Sequence, residues 1–170
     1  MERENAITFK GSPLTLVGNE VSVGQPAPDF MATTNDLSSY KLSDDKGKVV
    51  VIASVPSLDT GICDKETRKF NELAASLGED VAIVTISMDL PFAQSRWCGA
   101  AGVEQVKTVS DYKGADFGNH YGLLIKELHL LARAVLVVDQ QGAIQYYQLV
   151  PEVTEEPDYD AAIEAAKKLL

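Results

Sequence analysis

Two residues in the chain can act as sulfur nucleophiles, Cys63 and Cys98, and the first lies where chemistry is favoured. It belongs to "VIASVPSLDTGICDKETRKFNE", residues 51–72, in which an apolar run, Pro56 and Thr60 precede a charged amphipathic segment. Thr60 is a suitable helix cap. Cys63, three residues on, falls in the first turn, where unpaired backbone donors and the positive end of the helix dipole favour negative charge on sulfur. Pro56 fixes φ and withdraws a donor at the carboxyl end of a strand, where α/β sheets usually bind ligands. Placement alone leaves two readings of Cys63 open: an activated nucleophile, or the small buried hydrophobe that most free cysteines are. Cys98 falls about two turns into a helix opened by Pro91, away from the end that stabilises a thiolate. For it, too, a packing role beside Phe92 and Ser95 stays open.

The elements that position these residues follow an α/β rhythm. Residues 6–17 read as a hairpin turning at Lys10-Gly11-Ser12-Pro13, an extension over residues 1–18 that decorates one end. Short strands are expected at 30–33 and 40–42, and the β-branched run 49–54 suits a central strand covered on both faces. A helix over 60–77, a strand over 81–87 and a helix over 91–101 continue the pattern. In the first helix Phe70, Leu73, Ala74 and Leu77 face the core, while Asp64, Lys65, Glu66, Arg68 and Lys69 face outward. A strand at 106–109, a short helix at 115–121, a hairpin across "QQG" and a last amphipathic helix complete the chain. The acidic "PEVTEEPDYD" reads as a solvated loop leading into that helix. The fold class is therefore α/β: a thioredoxin-like mixed central sheet flanked by helices, in one domain over residues 1–170.

Composition narrows the function classes. With 15 Lys and Arg against 25 Asp and Glu, a net charge of −10, the chain lacks the basic footprint that nucleic acid requires. No apolar run approaches a membrane span, and "MERENAIT" reads as a cytoplasmic beginning. Two cysteines in a chain of 170 residues do not make a disulfide framework. His120 and His129 are too scattered to form a zinc site with them, so no metal is expected.

The pattern Pro56-x-x-x-Thr60-x-x-Cys63 resembles the active-site signature of the peroxiredoxins. Together, "PSLDTGICDKETRKFNE", "DLPFAQSRWCGAAG", "LARAVLVVD" and "QLVPEVTEEPDYDAA" are similar to the thiol peroxidase subfamily, atypical two-cysteine peroxiredoxins, over nearly the whole chain. The resemblance implies that Cys63 is the peroxidatic cysteine and Cys98 the resolving one within the same chain. It implies that Thr60 hydrogen-bonds thiolate and peroxide, that Pro56 shields the pocket, and that Arg133 holds the thiolate and polarises the substrate. It further implies hydroperoxide substrates, thioredoxin as reductant, a homodimer, and no cofactor. Leu58, Ile62 and Phe92 are candidates for an apolar substrate wall.

The partners of the sulfur matter more than its acidity. Taking any thiol's pKa from about 8.5 to about 6 raises its thiolate fraction at pH 7 roughly 30-fold, while a Brønsted slope of about 0.45 removes roughly 13-fold in nucleophilicity. The rate must come from groups aimed at charge developing on the departing oxygen. Two other readings remain: a disulfide oxidoreductase, disfavoured because no C-x-x-C pair is present, and a noncatalytic thioredoxin-like binding module.

Overall fold

The computed structural model describes residues 1–170. The chain opens with β1 (Glu2–Phe9) and β2 (Ser12–Val17), paired antiparallel with Phe9 opposite Ser12. The two residues between them, Lys10 and Gly11, both have positive φ, 50° and 83°, which a tight turn matching the strand twist requires and which glycine adopts without strain. Next come β3 (Met31–Thr33), β4 (Ser39–Lys41), a helical turn at Leu42–Asp45, and β5 (Val49–Ser54). The central unit follows as α1 (Gly61–Ala74), β6 (Val81–Ser87), α2 (Pro91–Ala101) and β7 (Lys107–Ser110). The chain closes with α3 (Asp116–Tyr121), β8 (Leu124–Ile125), β9 (Leu130–Leu131), β10 (Ala134–Val138), β11 (Ile144–Leu149) and α4 (Tyr159–Lys167).

Seven strands form the main sheet in the order β11-β10-β5-β6-β7-β3-β4. The β5, β6 and β7 strands run parallel; β10 and β3 join antiparallel on either side. All six residues of β5 are buried, because side-chain alternation sends them into two separate cores. Val49, Val51 and Ala53 pack with Phe70 of α1 and Ile163 of α4. Val50 and Ile52 belong to the opposite core with Phe117 of α3 and with Ile7 and Leu16 of the hairpin. The hairpin is thus part of the core and does not merely decorate one end. It joins β8 and β9, two short strands that the sequence pattern gave no sign of, in a second sheet. Two-residue strands are too short for any hydrophobic period to show.

Two departures bear on the site. Helix α1 keeps helical geometry to Ala74, and the remaining residues to Leu77 continue as hydrogen-bonded turns. The acidic segment after β11 is not simply solvated. Val153 is buried, and residues 151–153 lie along β1, with Thr8 N–H donating to the Pro151 carbonyl at 2.8 Å and Val153 N–H to the Thr8 carbonyl at 2.9 Å. No helix is long and apolar enough to cross a membrane.

Candidate active site

Strand β5 ends at Ser54, and Val55 and Pro56, both buried, carry the chain into the loop before α1. Asp89, just beyond β6, fixes that loop. Its carboxylate accepts from Ser57 Oγ at 2.6 Å, Leu58 N–H at 2.8 Å and Ser87 Oγ at 2.8 Å. Thr60 then caps α1, its Oγ1 accepting from the Cys63 N–H at 3.2 Å. The Thr60 hydroxyl itself donates to the Ser57 carbonyl at 3.1 Å, so in this state its proton is not directed at the sulfur.

Cys63 is fully buried, in a small apolar cluster with Val55 and Leu58, and Trp97 packs against the cluster. Its polar contact comes from the far side of β5. Because β10 pairs antiparallel with β5, with Ala134 opposite Ser54, the residue preceding β10 lies beside the chain leaving β5. That residue is Arg133, 1% exposed. Its Nη2 donates to Cys63 Sγ at 3.1 Å, its Nη1 to Glu66 Oε2 at 2.7 Å and its Nε to the Val153 carbonyl at 3.0 Å. Three contacts, two from α1 and one from the segment after β11, hold one planar group.

Glu66 was assigned outward by its charge, and the structure corrects this: it is completely buried. The signal was present in the spacing. Residues 66, 70, 73 and 77 share one helical stripe, so Glu66 stands on the core face above Phe70 and one turn from Cys63. Burial pushes its carboxyl up to about 7 even though Arg133 opposes the shift, and its Oε1 has no protein partner. Asp89 and the Val153 carbonyl were also missed. A hydrogen-bonding loop carboxylate has no periodicity, and a backbone carbonyl has no sequence signature at all.

Cys98 is half-buried on α2, and both cysteines are free thiols. Its Sγ lies 3.3 Å from Thr108 Oγ1 on β7, at a groove of about 440 Å³ lined by Asn35, Asp36, Val103 and Lys107. The partners of the two sulfurs lie just before β10 and on β7, strands that are three spacings apart, about 14 Å at ~4.8 Å each. Thr60, Cys63 and Arg133 are thus bonded together, with Pro56 buried in the loop that leads to them, and Cys98 belongs to a neighbouring site. Of the candidate wall, Leu58 is buried, Ile62 half-buried and Phe92 exposed. A separate concavity of about 240 Å³, lined in part by Pro26, Leu42 and Val138, shares no residue with this constellation.

Residues 22–163 match the redoxin family. The chain is 56% identical over 165 residues to a thiol peroxidase of Halalkalibacterium halodurans, covering 97% of this chain and 99% of that one. It is likewise 56% identical over 164 residues to a thiol peroxidase of Bacillus subtilis, covering 96% and 98%. The chain belongs to the thiol peroxidase family of redoxins. A solved peroxiredoxin-like protein from Aquifex aeolicus superposes on this thiol peroxidase relative with a TM-score of 0.92 at 44% identity, covering 98% of each chain. The fold is shared further, with a thiol peroxidase from Chromobacterium violaceum at a TM-score of 0.86 and 18% identity, over 95% of each chain. Within the thiol peroxidase family the fold class is the expected one, a thioredoxin-like mixed sheet flanked by helices.

Proposed function

We propose that this redoxin-family oxidoreductase is a thiol-dependent peroxidase that reduces hydrogen peroxide and organic hydroperoxides through Cys63. The observation that carries the reading is the buried Arg133 Nη2 donating to Cys63 Sγ at 3.1 Å. A guanidinium fixed against a sulfur in an apolar pocket stabilises the thiolate and is already in place for the charge that develops on the departing oxygen. The sulfur attacks the terminal peroxide oxygen, the O–O bond breaks, and Cys63 becomes a sulfenic acid while the alkoxide leaves as alcohol or water. A guanidinium has five N–H donors, and the three protein contacts of Arg133 leave two free for the substrate. The Thr60 hydroxyl turns from Ser57 toward the bound peroxide, and Pro56 shields the pocket from bulk water.

Cys98 resolves the sulfenic acid. Its thiol attacks Cys63 sulfur, the S–O bond breaks, and water leaves as the disulfide forms. Because the sulfurs face different strands, the first turn of α1, the region of Cys98, or both must unwind locally before they meet. Half-exposed Cys98 beside its groove then offers the disulfide to an external dithiol, thioredoxin, which returns both thiols to the reduced state. Leu90 and Phe92, exposed at the start of α2, supply apolar surface for a homodimer. Residues 1–170 act as one domain, and the free thiols suit the reducing cytoplasm.

Stopped-flow fluorescence tests this directly, since Trp97, the one tryptophan, adjoins Cys98. Reduced protein mixed with cumene hydroperoxide gives a fast change that both Cys63→Ser and Cys98→Ser abolish, while Cys98→Ser still consumes one equivalent of peroxide. Absence of peroxide consumption by the intact reduced protein refutes the assignment and favours a binding module.

A further inference from the structure

Residues immediately beside the two cysteines are bonded to each other. Asp64 follows Cys63 and Trp97 precedes Cys98, and the Trp97 indole N–H donates to Asp64 Oδ1 at 2.7 Å. Arg68, one turn further along α1, closes the arrangement. Its Nε donates to Asp64 Oδ2 at 2.8 Å, its Nη1 to the Ala101 carbonyl near the end of α2 at 3.3 Å, and its guanidinium lies 5.6 Å from the centre of the Trp97 ring. The indole meanwhile packs against the Val55, Leu58 and Cys63 cluster. One carboxylate thus receives a charge-assisted bond from each helix, and the stacked cation covers the indole that makes one of them. The first turn of α1 cannot unwind, nor Trp97 leave the Cys63 cluster, with this arrangement intact.

We propose that Asp64, Arg68 and Trp97 are positioning residues that form a latch across α1 and α2, and that release of the latch sets the rate of disulfide formation between Cys63 and Cys98. The inference rests on the roles given above to the two cysteines. With the latch closed, Cys63 is held buried against Arg133, the arrangement that reacts with peroxide. Once Cys63 carries a sulfenic acid, the latch delays the encounter with Cys98. During that delay a second hydroperoxide can oxidise the sulfenic acid to sulfinic acid, transferring one oxygen and leaving as alcohol. The latch thus divides Cys63 between resolution and overoxidation.

The magnitude follows from a two-state equilibrium. Where the open form is a small minority, loss of one charge-assisted, half-exposed bond raises its population on the order of tenfold while the closed fraction stays near unity. The resolving step therefore accelerates about tenfold, and the second-order reaction with peroxide does not change. General destabilisation would slow the first step as well, so the two rates separate a latch from a merely structural role.

Quenched-flow mass spectrometry of the full chain with cumene hydroperoxide reads sulfenic, sulfinic and disulfide forms together. Asp64→Ala and Trp97→Phe are each expected to speed the peroxide-independent conversion to disulfide about tenfold and to cut the sulfinic fraction at high peroxide in proportion. Their double variant is expected to match Asp64→Ala alone, because that substitution already removes the bond that Trp97→Phe removes. In a Cys98→Ser background, Asp64→Ala should leave the rate of the first oxidation unchanged. Disulfide formation that is unchanged or slower in both single variants overturns the latch, as do fully additive effects in the double variant. An unsubstituted protein that forms no sulfenic acid at all fails at the earlier step, and overturns the proposed function together with this inference.

Discussion

Replacing Glu66 with glutamine isolates one buried carboxyl. Its pKa rises from 4.5 to about 7, chiefly because burial penalises the charged form, with Arg133 acting against that. A raised folded-state value means that the folded protein holds this proton over a pH range in which the unfolded chain has lost it. The associated stability is fully present below about pH 4.5 and is lost as pH rises through about 7. Between pH 5 and pH 8 the difference amounts to about 2 to 3 kcal/mol. Glutamine retains an acceptor for Arg133 but does not titrate. Urea unfolding at both pH values, with Cys63→Ser in both proteins so that no thiolate competes for the guanidinium, should show the Glu66 protein losing about 2 to 3 kcal/mol more than Glu66→Gln. Every other titrating group is common to the pair and cancels. Parallel pH profiles would refute the assignment of a titrating carboxyl to this buried position.

Arg133→Lys should lower the second-order rate with peroxide about a hundredfold in stopped-flow, because an ammonium cannot span the sulfur, Glu66 and Val153 in one plane. Asp89→Asn weakens the bonds that hold Ser57 and Leu58, and should slow the same step about tenfold while Cys98 stays as reactive toward alkylating reagents as before. Thr60→Val removes the cap as well as the hydroxyl, so it should cost about 1 kcal/mol in urea unfolding and most of the peroxidase rate, whereas Thr60→Ser should retain both. Phe70→Ala empties the core beneath Glu66 and should destabilise by about 3 to 5 kcal/mol in the same unfolding assay.

Periodicity made much of this architecture legible. The buried run of β5, the strand β6 and the whole of α2 fall where hydrophobic pattern and Pro91 put them. Thr60 and Cys63 were readable for a related reason, because helix caps and first turns are local in sequence. Arg133 was not readable from local pattern, since its role depends on the antiparallel register of β10 against β5, between segments far apart in the chain. Family resemblance supplied it instead. Glu66 was hidden by the expectation that a charged side chain faces water, although its helical spacing put it on the core stripe. The hairpin's place in the core was missed because Ile7, Leu14 and Leu16 are too few to reveal which surface they cover.

The segment at 151–153 gives the order of synthesis a chemical meaning. Val153 accepts from Arg133 and is itself bonded to Thr8, while Glu152 accepts from Thr8 Oγ1 at 3.0 Å and from Gly11 N–H at 2.9 Å. Strand β1 therefore lacks these bonds until a segment translated 144 residues later has emerged. A nascent chain that has already emerged past Cys63 carries the thiol without its guanidinium fixed in place. Chemical competence arrives late and all at once, when these two distant segments meet.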